Sequence, residues 1–187
     1  MKKIQKIIGK SIVIRKAQPS DLEAVFNNVW NDRELLSTTM LTTSKTMNDA
    51  KDRLERTIKF QSDKDIFFIA LKDTNEVIGL CGMLPNKKNG FEETGLVIGE
   101  KFQKREYGTE MLNMLLDVVF NYYGASHFIY THCDGNFKSH ALCAKFGFQY
   151  LNSKTRTRDW DEEDFIIHRY ILKKEDYQVI KFKYEIL

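Results

Sequence analysis

Ile12 and Ile14 fall on one face of the alternating segment SIVIRK, residues 11–16, and predict a strand. Ser20 with Glu23 is a capping-box pair that predicts a helix through about Trp30. Thr46 with Asp49 repeats that signal, and Ala50, Leu54 and Ile58 follow at i, i+4 and i+8, marking a second helix. The apolar runs Ile66 to Leu71 and Val77 to Leu84 flank the turn Asp73–Asn75 and predict a β-hairpin. Residues 93–99 read as a further strand. A helix from about 107 to 122 then places Met111, Leu112, Leu115, Leu116 and Val119 on its buried side. His127 to Cys133 predicts another strand, and Asn136 caps a short helix ending near Lys145, where Gly147 supplies a left-handed stop. Segments 148–157 and 165–172 predict a closing hairpin around the acidic turn Asp159–Asp164. The order β-α-α-β-β-β-α-β-α-β-β predicts a single α/β domain with a mixed sheet.

Composition narrows this picture modestly. A chain of 187 residues that is 42% hydrophobic suits one globular domain with a real core, and no Pro-rich or Gly/Ser-rich linker divides it. The balance of 29 basic and 26 acidic residues leaves a formal net charge of +3, too small a bias to argue for nucleic acid. Cys81, Cys133 and Cys143 form an odd set without CxxC spacing, which points to reduced thiols rather than disulfides or zinc. The N-terminus MKKIQKIIGKSIVIRK starts like a signal peptide, but Lys10 and Arg15 interrupt any apolar run. No stretch approaches the roughly 18 apolar residues of a membrane span. The expectation is a cytoplasmic protein with no membrane or nucleic-acid partner.

The segment with the clearest chemistry is EETGLVIGEKFQKREYGTEML, from Glu92 to Leu112. A strand breaks into a polar loop, and a helix restarts near Tyr107, Gly108 and Thr109. Free N–H groups and the positive end of a helix dipole make such a junction a cradle for phosphate. The alternative is a solvated charged loop before an ordinary helix. Gly95 suits a bulge or a close backbone approach, or is a plain strand glycine. Asn136 is a good N-cap in its own right.

Two motifs together carry a resemblance. EETGLVIGEKFQKREYGTEML is similar to the segment written E-x-G-Y-x-(I/L) followed by Q-G-K-G-Y-(G/A)-T-E, and NFKSHALCAKFGF, from Asn136 to Phe148, is similar to N-x-x-S…K-x-G-F. The chain therefore resembles the GNAT superfamily of acyl-CoA-dependent N-acetyltransferases, particularly its RimL/RimJ-like branch, over nearly its whole length. The resemblance implies a single-domain GNAT fold over 11–174, with 1–10 and 175–187 as terminal extensions. Its mixed, mostly antiparallel sheet would be splayed between strands four and five and flanked by about four helices.

It also implies the co-substrate acetyl-CoA, an amine acceptor (a small molecule or a protein N-terminus), and a possible homodimer. Its pyrophosphate would sit on the backbone of Gln103, Lys104, Arg105, Glu106, Tyr107 and Gly108, with the Thr109 hydroxyl at the helix start. Glu106 departs from the pattern by replacing the first motif glycine, and a carboxylate aimed at pyrophosphate is repulsive. Main-chain groups of Leu96, Val97 and Ile98 would pair with the pantetheine arm like an added strand, and Asn136 and Ser139 would lie beside it.

Glu93 is the implied general base, provided burial raises its pKa from about 4.3 toward neutrality, or else a structural carboxylate. Its neighbour Glu92 would point to the opposite face. Cys143 occupies the position of the family's acidic tyrosine and is either a substitute proton donor or a small buried core thiol. No metal site is expected, since His127 and His132 lie five apart in a strand and face opposite ways. His140 reads as a solvent-facing helix residue, and Phe67, Phe68, Phe120 and Phe148 as core. The acidic hairpin turn is a solvated loop, or a field that draws a cationic amine toward the acceptor cleft. The alternative to catalysis is a silent acyl-CoA-binding module.

Overall fold

The computed structural model describes residues 4–158, 161–178 and 184–187. Its strands are β1 (Lys6–Ile8), β2 (Ile12–Arg15), β3 (Ile66–Leu71), β4 (Val77–Asn86), β5 (Gly90–Glu93), β6 (Val97–Ile98), β7 (His127–Cys133), β8 (Gln149–Thr157), β9 (Asp164–Lys173) and β10 (Glu185–Ile186). Its α-helices are α1 (Leu22–Val25), α2 (Arg33–Ser37), α3 (Met47–Gln61), α4 (Tyr107–Asp117) and α5 (Phe137–Lys145). The strands form one sheet in the order β10-β1-β2-β3-β4-β5-β7-β9-β8, with β6 also on β4. Every pairing is antiparallel except β5 with β7. The segments expected as terminal extensions supply β1 and β10 at one edge of the sheet.

Apolar residues on both faces of the sheet need cover. Val25, Val29, Trp30, Leu36, Ala50 and Leu54 from the first helices pack against Phe68, Val77 and Val97. Met111, Leu112, Leu115, Leu116, Val119 and Phe120 fill the other face with Ile14, Phe67, Ile69, Phe91 and Phe128. The Glu110 carboxylate, buried on α4, accepts the Ser11 N–H at 2.8 Å and fixes that helix to the start of β2. α5 joins the same layer through Cys143 and Leu142.

The Thr46–Asp49 capping box forms as expected, with reciprocal bonds of 3.0 and 3.1 Å. The Ser20–Glu23 box does not. Asp21 is drawn instead into a buried pair with Arg15 at 2.7 Å and accepts the Gln18 N–H, also at 2.7 Å. The first helical stretch consequently starts as a 3₁₀ turn, Pro19–Asp21, and ends as a π turn, Phe26–Trp30. α2 was not expected from periodicity; its signal is Asp32, whose side chain accepts the Leu35 N–H at 2.8 Å.

The strand expected over 93–99 is two pieces. β5 pairs in parallel with β7 only from Gly90–His127 to Glu92–Ile129. The chain then turns at Gly95, whose φ of +121° is strained for any residue with a side chain, and resumes as β6 on β4. Beyond Glu92, β5 and β7 diverge. This splay opens the cleft described next.

Candidate active site

The cleft holds about 300 Å³ between the parted strands. One wall is Glu92 to Val97; the other is Tyr130 to Cys133 with Asn136 and Ser139 of the α5 start. The loop Thr38–Leu41 and the hairpin residues Lys154, Arg156, Ile167 and Arg169 close the mouth. The loop is held from the hairpin by Arg158, which donates to the Ser37 carbonyl at 2.8 Å, and from α5 by the Asn136 amide on the Thr38 carbonyl at 3.3 Å.

Glu93 sits where the strands part. Its carboxylate accepts hydrogen bonds from the Thr131 hydroxyl on β7 and from the Gly95 N–H. Burial outweighs these bonds, and with the nearby Glu92 charge it raises the Glu93 pKa to about 7. A carboxyl near neutrality in a cleft can take a proton from an ammonium and return it. Glu92 does not face away as alternation predicts: both carboxylates line the cleft, because the divergence turns Glu93 into the gap. Glu92 is held by Arg169 at 2.9 Å.

Leu96 and Val97 line the cleft, whereas Ile98 does not; its carbonyl accepts the Gln103 amide at 2.9 Å. Lys138 in turn donates to the Gln103 carbonyl oxygen at 2.7 Å, so Gln103 braces the loop between β6 and α5. Lys104 and Glu106 both adopt left-handed backbone, φ +60° and +63°. At Glu106 that is the conformation a glycine would supply freely.

The Glu106 side chain turns to Lys145 at 2.8 Å, and that bond, with those to Thr109 and the Lys145 charge, lowers its pKa. The first described main-chain bond of α4 runs from Glu110 N–H to the Glu106 carbonyl at 2.9 Å, so the N–H groups of the first turn, Tyr107 to Thr109, have no helical acceptor. A Cβ added at Gly108 would meet only Leu142, at 3.8 Å. The loop therefore fits a phosphate-bearing ligand on backbone donors.

Asn136 caps α5 by accepting the Ser139 N–H at 3.1 Å. The Ser139 hydroxyl shares a 2.8 Å hydrogen bond with the Tyr130 hydroxyl. Cys143 is not in the cleft. It is 1% exposed within the hydrophobic core, and burial pushes its thiol up to about 12. As a proton donor it is displaced by geometry: an apolar position on α5 faces the sheet.

A family model, "Acetyltransferase (GNAT) domain", matches residues 11–149. The chain belongs to the GNAT acetyltransferase family. The family transfers acetyl groups from acetyl-CoA, so the chain is an acetyltransferase. It is 24% identical over 120 residues to "Uncharacterized N-acetyltransferase p20" of Bacillus licheniformis, a match spanning 63% of this chain and 67% of that one. A candidate ribosomal-protein-serine acetyltransferase from Vibrio cholerae superposes with a TM-score of 0.77 at 16% identity, covering 92% of this chain and 99% of its own. The microcin C7 self-immunity acetyltransferase MccE, solved with acetyl-CoA and AMP, superposes with a TM-score of 0.72 at 15% identity, covering 88% and 93%. At these identities the structural likeness shows the fold.

Several lining residues of this acetyltransferase escaped the motif reading. Thr131 and Tyr130 are placed by the alternation of β7, and only the Glu93 partnership gives Thr131 a role. Arg158 is 3% exposed, stacked over Phe165 at 3.9 Å, and no local pattern marks it. In the acidic turn Asp161 and Glu163 pair with Arg158 at 2.5 and 2.9 Å. Asp159 lies outside the described residues. His132 is stacked on Tyr170 at 5.2 Å. No helix among the described residues is long and apolar enough to cross a membrane.

Proposed function

We propose that the chain moves the acetyl group of acetyl-CoA onto a primary amine by direct attack in a ternary complex. The observation that carries this reading is Glu93, held at the splay with a pKa of about 7. The acceptor ammonium gives its proton to Glu93, and the free amine attacks the thioester carbonyl. Main-chain groups of Leu96 and Val97 bind the pantetheine arm and polarise that carbonyl. The loop Gln103–Thr109 holds the pyrophosphate, with Glu106 kept aside by Lys145.

The Tyr130–Ser139 hydroxyl pair offers the departing thiolate a hydrogen bond rather than a ready proton, because burial pushes the Tyr130 phenol up. The RimL/RimJ-like motifs support a place in that branch, and hence a protein N-terminus or a small amine as acceptor. The exposed Tyr150, Leu151 and Ile166 of the closing hairpin support a homodimer, and three free buried cysteines support a reducing, cytoplasmic setting.

A second reading, acetyl-CoA binding without transfer, is favoured by one observation: Cys143 stands in the core where the family's pattern has an acid. Thiol release measured with N-terminal peptides, polyamines and aminoglycosides separates the two. Turnover with any amine supports the transferase, and tight acetyl-CoA binding without turnover supports the silent module. Failure to bind acetyl-CoA at millimolar concentration contradicts both.

A further inference from the structure

We infer that the amine acceptor of this cleft carries an anionic group, a carboxylate or a phosphate, close to its amine. The inference rests on the transferase reading above and names the substrate class it leaves open. The charges at the cleft mouth run opposite to the expectation of an acidic hairpin drawing in a cation. In the β8–β9 register Asn152 lies opposite Arg169, Lys154 opposite Ile167 and Arg156 opposite Phe165. Since side chains alternate along a strand, Lys154 and Arg156 project to the same face as the cleft-lining Ile167 and Arg169. β7 presents Thr131 and Cys133 on that face as well, so the cations and Glu93 border one open space.

Neither Lys154 nor Arg156 has an ion-pair partner among the described residues, and both are exposed. Arg169 is the third cation, and its charge is matched by Glu92. Glu93 is only part-ionised near neutrality. In the hairpin turn Asp161 and Glu163 pair with Arg158, and Asp164 accepts the Thr157 hydroxyl at 2.6 Å. Past Glu92, Lys154 and Arg169 the same sheet face continues into a second depression bordered by Lys87 and Lys88, and by Lys173 paired with Glu175 at 3.5 Å. An ammonium seated at Glu93 therefore faces Lys154 and Arg156 with whatever else it carries. A second ammonium is repelled there, while a carboxylate or phosphate gains charge-assisted hydrogen bonds.

The test compares thiol release from acetyl-CoA with matched small acceptors: γ-aminobutyrate, aminopropyl phosphate, butylamine and putrescine. A peptide pair differing only in Asp or Lys after the N-terminal residue is run alongside. The expected result is a kcat/KM for anion-bearing acceptors about tenfold or more above the neutral and dicationic ones, the size of one charge-assisted contact. The carboxylate and phosphate arms identify which anion is preferred, and the peptides show whether it is read on a chain end. In Lys154→Gln/Arg156→Gln the preference narrows through a higher KM for the anionic acceptors, with the acetyl-CoA KM and the Tm unchanged. Putrescine used as well as γ-aminobutyrate, or a preference that survives the double substitution, would overturn the inference and leave the transferase reading standing. No turnover with any arm while acetyl-CoA binds would overturn both.

Discussion

Replacing Glu93 by Gln removes the proton acceptor while keeping the shape of the site. A Gln oxygen can accept the Gly95 N–H, and its NH₂ can donate to the Thr131 oxygen once that hydroxyl rotates, so both partners of Glu93 stay bonded. General-base catalysis contributes about a hundredfold to ten-thousandfold. A substrate bound with its ammonium against Glu93 therefore loses about 3–5 kcal/mol of transition-state stabilisation in the variant. Initial-rate thiol release across pH reads this directly. Wild-type activity should rise through about pH 7 as Glu93 ionises, and the variant should be slow with that limb gone.

Stability moves the other way. Burial raises the Glu93 pKa from 4.5 to about 7, so its contribution to the folded state is full below about 4.5 and lost as pH rises through about 7. That loss is at most about 3 kcal/mol, reduced by the access of water to the cleft. Gln carries no such loss, so its Tm advantage over wild type should grow from roughly pH 4.5 to roughly pH 7 and level off above that. Activity of Glu93→Gln within threefold of wild type, with the same acidic limb, would refute the assignment.

Three further substitutions probe the frame of the site. Cys143→Ala should leave kcat within about twofold while costing about 1–2 kcal/mol in denaturant unfolding, because the thiol fills core and does not face the cleft. Gly95→Ala has room, its nearest neighbour being Leu41 at 3.9 Å, so its cost is backbone strain at φ +121°, about 1–3 kcal/mol by thermal unfolding, with a loss of kcat as the Glu93 hydrogen bond shifts. Glu106→Gly should lower the acetyl-CoA KM by no more than about fivefold, since the carboxylate is already turned to Lys145; a larger fall would mean that Glu106 faces the ligand.

Local signals carried much of the fold. The 3.6-residue repeat of α4, the Asn136 cap of α5 and the alternation of β7 each need only neighbours in sequence, and each element stands where its pattern places it. What failed locally was decided at long range. Ser20 looked like a cap until Arg15 captured Asp21. Glu92 and Glu93 looked like opposite faces until β5 left β7, a divergence set by pairing with strands far along the chain.

The loop Gln103–Thr109 was legible because the break from strand to polar loop to helix shows in the local pattern. The cleft was not. Thr131 meets Glu93 across 38 residues, and the Arg158 clamp reaches Ser37 across 121. Cys143 illustrates the reverse limit: the motif assigned it a chemical position, and the apolar face of α5 assigned it to the core.

Direct transfer in the cleft between β5 and β7 has a kinetic signature. Initial rates measured with acetyl-CoA and an amine varied together, counting both thiol released and amine acetylated, test it most directly. Direct transfer gives equal yields of the two products and intersecting double-reciprocal lines, the pattern of a ternary complex. Thiol released without acetylated amine, or parallel lines from an acetyl-enzyme intermediate, would contradict it.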